Sequence, residues 1–144
     1  MRAVIDTNVI ASAYISPRGS PAQILEMFWA GRFVLLTSTP ILDEYQEILL
    51  RPRVQKRHLL TSIQVAQVVE LIRDVSEPIE DLPDLQVIAA DPDDDKFFAC
   101  AIAGNADCIV SGDAHLLVIA NFRGIPVLTP ADFLARLDRP SGDE

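Results

Sequence analysis

Short apolar runs rich in β-branched residues recur along the chain, and most are followed by a stretch with helical spacing. This alternation constrains the fold more than any other feature. Strands separated by helices cannot pair as simple hairpins, so they run parallel through crossovers and build an α/β domain with a mostly parallel sheet. Ala3-Val4-Ile5 reads as a buried first strand ending at Asp6. Ser20-Pro21 starts a helix, with Pro at its first position, that Gly31 closes. Phe33 to Thr37 reads as a second strand. Thr39-Pro40 opens a helix that stops before Pro52, because the residue preceding a proline disfavours α geometry. Apolar residues at 65, 68, 69, 72 and 75 mark a further helix. Val87 to Ala89 reads as a weak strand and Asp94 to Ala103 as a helix closed by Gly104-Asn105. Cys108 to Val110 reads as a strand, Ala114 to Phe122 as a helix, Pro126 to Leu128 as a strand and Pro130 to Leu137 as a last helix.

With 144 residues the chain is the size of one domain, read here as residues 1–138 with 139–144 as a disordered tail. Its two cysteines, Cys100 and Cys108, form neither a CxxC pair nor a Cys/His cluster, which fits a reducing, cytoplasmic setting. The longest apolar run, Phe97 to Ala103, is too short to cross a membrane. Twelve Lys and Arg against 21 Asp and Glu give a formal charge of −9. A passive nucleic-acid binder is expected to be basic, so this balance argues against nucleic acid unless part of the acidity is a metal site.

Four acids fall where such a site could form. Asp6 follows the first strand and Asp113 follows the Cys108 strand across Ser111-Gly112, and open α/β sheets bind ligands at strand carboxyl ends. At about 100° per residue, Glu44 lies at the margin of the apolar stripe Ile41, Leu42, Tyr45, Ile48 and Leu49, while Asp43 and Glu47 point away. Asp95 begins the apolar helix at Phe97; helical phase does not separate it from Asp94, and it is chosen because it stands directly before Lys-Phe-Phe-Ala. Gathered at one rim, these carboxylates would repel each other unless cations sat among them, and hard oxygen ligands suit Mg²⁺ or Mn²⁺. Taken singly each acid has a plainer explanation. Asp6 and Asp113 could be helix caps, the Asp91 to Asp95 run a solvated helix start, and Glu44 a surface charge.

Six segments in order are similar to the PIN-domain nucleases, and most of all to the VapC-like toxins of toxin–antitoxin pairs. They are Val4-Ile5-Asp6-Thr7-Asn8-Val9, Ser38-Thr39-Pro40 with Glu44, Asp91-Pro-Asp-Asp-Asp95-Lys96-Phe97, Ala103-Gly104-Asn105-Ala106-Asp107, Ile109-Val110-Ser111-Gly112-Asp113, and Ile125-Pro126-Val127-Leu128-Thr129-Pro130 running on to Leu134. The resemblance spans Arg2 to about Leu137. It implies a three-layer α/β/α domain around a twisted, mostly parallel sheet, with Asp6, Glu44, Asp95 and Asp113 as metal-holding catalytic acids. It also implies supporting roles for Asn8 and Ser111, with Asp93 as an outer carboxylate. The implied activity is Mg²⁺- or Mn²⁺-dependent hydrolysis of RNA by a toxin that has a cognate antitoxin and forms a homodimer. A mean hydropathy of +0.23, high for a domain of this size, agrees with association.

Arg51, Arg53, Lys56 and Arg57 concentrate positive charge between two helices, either as a solvated loop or as a patch facing phosphates or an antitoxin. GxSxG, GxGxxG and Walker signatures are absent, and His58 and His115 share no motif. A phosphatase loop would need a second Asp after Asp6-Thr7. The alternative of a different class is a catalytically silent PIN-like module that binds RNA or protein.

Overall fold

The computed structural model describes residues 1–87 and 91–139. Strand β1 (Arg2–Ile5) runs into helix α1 (Thr7–Ile15) and then α2 (Ser20–Trp29). Strand β2 (Val34–Thr37) leads to α3 (Thr39–Leu50), α4 (Pro52–His58) and α5 (Ser62–Val75). After β3 (Glu77–Pro78), a single 3₁₀ turn at Pro92–Asp94 feeds α6 (Asp95–Ala103). Strand β4 (Cys108–Val110), α7 (Ala114–Leu117), β5 (Asn121–Phe122), β6 (Ile125–Leu128) and α8 (Pro130–Leu137) complete the order.

The sheet runs β3-β2-β1-β4-β6-β5, parallel throughout except for the edge pair β5–β6. Helices flank it, so the central strands bury both faces. Ala3, Val4, Leu36, Ile109 and Val110 are wholly inaccessible, which is why these strands read as unbroken apolar runs rather than alternating ones. The chain adds strands outward from β1 on one side, then returns to place β4 on the other. The strand order therefore reverses between β1 and β4, and their carboxyl ends open the crevice where such sheets take ligands. Phe33, just ahead of β2, meets Phe133 of α8 edge-on at 5.0 Å, which ties the last helix to the core.

Several elements differ from the sequence reading. Helix α1 has buried residues at Thr7, Val9, Ile10, Ala11 and Ala13, so it shows no amphipathic stripe and its sequence carries no helical period. The basic stretch is helix α4 rather than a loop, with Pro52 in its first turn and three basic residues in its last. The expected helix Ala114 to Phe122 stops at Leu117. Ala120 is left-handed, and Arg123 and Gly124 both have positive φ, which makes the two-residue hairpin turn joining β5 to β6. Of the expected strand Val87 to Ala89, Val87 is not in a strand and 88–89 lie outside the described residues; the sheet edge is β3 instead. Residues 140–144 of the expected tail also lie outside them. Among the described residues no helix is long and apolar enough to cross a membrane.

Candidate functional site

Asp6 leaves β1 in extended geometry, its amide donating to Val110 of β4 at 2.9 Å, and it caps α1 through its backbone. It is buried, with 4% exposure. The Ser111 hydroxyl donates to Asp6 Oδ2 at 2.7 Å, and Ser111 Oγ in turn accepts from the Asp113 amide at 3.0 Å. One buried serine thus couples the strand-end acids of β1 and β4. Burial pushes the Asp6 carboxyl above its ordinary value; the Ser111 hydroxyl works against this, while the charges of Glu44 and Asp113 add to it.

Glu44 reaches the same crevice from α3. Adjacent Tyr45 is fully buried and its hydroxyl donates to the Ile5 carbonyl, one residue before Asp6. That bond sets the depth of α3 against β1. Glu44 Oε2 accepts from the Thr7 hydroxyl and Oε1 from the Lys96 ammonium at 2.7 Å. Asp43 and Glu47 are exposed, as the helical phase required.

The aspartate run divides its roles. Asp91 caps the 3₁₀ turn by accepting from the Asp93 amide at 3.0 Å, and the Asp93 side chain is exposed. Asp95 accepts from the Val87 amide at 3.2 Å. Asp94 is the member that senses the crevice. Its carboxyl is pushed up to about 6 by burial first, then by the charges of Asp6, Asp113, Asp91 and Glu44. Asp113 accepts from the His115 amide at 2.9 Å, which caps α7. The charges of Asp6, Glu44 and Asp113 thus all bear on Asp94, while Asp95, the member chosen from sequence, accepts the Val87 amide at the start of α6. Thr7, Tyr45 and Lys96 were not singled out from sequence; nothing in their local pattern separates them from core or surface residues.

Exposed Asn8 lines a cleft of about 180 Å³ with Val9, Ser12, Pro21, Gly112 and Pro130, beside the Asp6–Ser111 pair. Arg53, Lys56 and Arg57 are exposed on α4, and Arg51 pairs loosely with Glu47 at 3.6 Å. His58 is a structural clip: its ring bonds the Leu49 carbonyl and accepts from the Leu60 amide, both at 2.9 Å. Both cysteines are buried, which pushes their thiols up to about 12 and leaves them inert as nucleophiles.

The donor chemistry fits a hard divalent cation, being all carboxylate and self-repelling. As the side chains stand, no three His, Cys, Asp or Glu among the described residues converge on a metal position. Glu44, held by Lys96 and Thr7, is the acid most visibly engaged elsewhere.

Comparison with known proteins bears on the family and the fold. A family model described as PIN domain matches residues 2–115. An uncharacterized protein of Methanocaldococcus jannaschii is 30% identical over 146 aligned positions, which cover 96% of this chain and 93% of that one. The fold is similar to a chain in the crystal structure of VapBC2 from Rickettsia felis bound to a DNA fragment from their promoter. That likeness has a TM-score of 0.59 and 16% identity, over 90% of this chain and 98% of that chain.

Proposed function

The chain belongs to the PIN-domain family, and from that footing we propose that it is a metal-dependent endoribonuclease, the toxin of a toxin–antitoxin pair. The observation that carries the proposal is the placement of Asp6 and Asp113 at the adjacent carboxyl ends of β1 and β4, the switch point of a parallel sheet, joined through Ser111, with the charges of Glu44 and Asp113 bearing on Asp6 and those of all three on Asp94.

In this reading Asp6, Glu44 and Asp113 hold Mg²⁺ or Mn²⁺ together with Asp94 or Asp95, and exposed Asp93 lies outside them. A divalent ion there would acidify a water and neutralise charge on the phosphoryl oxygens. Ser111 orients Asp6 and favours its ionised form by donating to it, against the burial that raises it, and Tyr45 anchors the α3 turn that carries Glu44 beside β1. The cleft beside Asn8 takes the neighbouring nucleotide, and Arg53, Lys56 and Arg57 meet phosphates farther along the strand. An acidic chain of net charge −9 repels nucleic acid wherever no cation intervenes, so contact is confined to these places. The likeness to a VapBC2 chain supports an antitoxin partner. Leu59, just past α4, and Ile63, Leu71 and Val75 of α5, between 51% and 81% exposed, supply apolar surface for a second copy.

The test compares wild type with Asp6→Asn on a mixed single-stranded RNA pool across a Mn²⁺ titration. Wild type is expected to cleave only with metal. The amide is nearly isosteric but cannot supply an anionic ligand, so Asp6→Asn is expected to stay folded and inactive. Equal cleavage by both would place the activity elsewhere. No cleavage by folded, metal-loaded wild type would favour the silent binding module, a reading in keeping with a Glu44 already neutralised by Lys96.

A further inference from the structure

Lys96 occupies the second position of α6, with its ammonium 2.7 Å from Glu44 Oε1. The two side chains are only 22% and 20% exposed, against 51% and 69% for the Arg51–Glu47 pair on the surface. Glu44's second oxygen is taken by the Thr7 hydroxyl, so both oxygens are engaged within the protein. A monovalent cation therefore sits on one of the carboxylates that a divalent ion at this rim would need, and no three acids among the described residues converge.

We propose that Lys96 is a positioning residue, a resident counterion that orients Glu44 in the metal-free site and must release it when a divalent cation binds. The proposal rests on the reading of the four acids as a metal site. Two consequences follow from Coulomb's law in a partly buried setting. The ammonium offsets part of the acids' repulsion, so the empty site does not splay. It is also a like charge beside the incoming ion, so it raises the metal concentration needed for occupancy. An exposed ion pair would do neither, because water and salt screen it.

The experiment measures Mn²⁺ binding by calorimetry and melting in EDTA for wild type, Lys96→Met and Lys96→Arg. Methionine keeps most of the apolar stem without the charge. It is expected to tighten Mn²⁺ binding by about tenfold, the low end of what one neighbouring charge does to an ionisation equilibrium, and to lower the melting temperature in EDTA. Arginine keeps the charge and is expected to melt near wild type in EDTA and to bind Mn²⁺ no more tightly. Equal affinity of wild type and Lys96→Met overturns the proposal, as does equal tightening by Met and Arg. If wild type itself gives no binding heat and no melting shift with Mn²⁺, the metal reading falls and takes this inference with it; failure of the inference alone leaves wild-type binding intact.

Discussion

At Asp94 a carboxyl held up at about 6 loads the fold with a charge it would rather not carry. The folded value lies above the ordinary 3.8, so the folded state binds the extra proton and the ionised side chain destabilises it. The penalty is absent below about pH 4, grows between there and about pH 6, and is complete at neutral pH. Asp94→Asn is therefore expected to stabilise the metal-free protein at pH 7 by about 1 kcal/mol, after allowance for solvent screening of a partly exposed group. The two proteins should melt alike at pH 4 without metal, and the variant should lose most of the Mn²⁺-induced rise. A variant less stable than wild type at pH 7 in EDTA would contradict the shared repulsion. At this scale, the positions of Asp6 and Asp113 at strand ends and of Glu44 at the margin of an apolar helix face were legible from the local pattern, whereas Ser111 came only through the family resemblance. Asp94 and Asp95 could not be told apart in this way, because they are adjacent at a helix start and helical phase does not separate them.

At the scale of elements, Gly104 and Asn105 divide the work of ending α6. Asn105, not Gly104, takes the left-handed conformation, with φ 52°. Gly104 is there for room: a Cβ would lie 2.8 Å from Leu36 Cδ1, 3.0 Å from Ile79 Cδ1 and 3.1 Å from the Cys100 carbonyl. Gly104→Ala is expected to cost about 1 kcal/mol, overpacking outweighing the entropy gained by restricting the unfolded chain. Urea denaturation checks this, and an unchanged or raised midpoint would mean that the two side-chain tips give way freely. The glycine is visible in sequence as a helix stop, but its cause is not, since it depends on β2 and on Ile79 crossing over the helix end. Helix α1 escapes notice for a related reason. A helix covered on most sides loses the period that betrays helices at a surface.

For the whole molecule, the sheet order β3-β2-β1-β4-β6-β5 gathers acids separated by more than a hundred residues. It also leaves Ile63 and Leu71 exposed on one side of α5 at 73% and 53%. Ile63→Asp combined with Leu71→Asp is expected to give a monomer by light scattering at tens of micromolar, where the wild type is expected to be a dimer, with the metal-dependent melting shift retained. A monomeric wild type would remove the dimer. The sequence by itself determined the class of fold and the family, because buried parallel strands, proline-started helices and strand-end acids are local patterns that need no partner to be recognised. It also determined which segments carry acids. Only the tertiary structure decided that Ser111 links Asp6 to the Asp113 amide, that Lys96 and Thr7 hold Glu44, and that Tyr45 sets α3 against β1. Those contacts join residues dozens of positions apart, and their energies depend on distance and burial, quantities that exist only once the chain has packed.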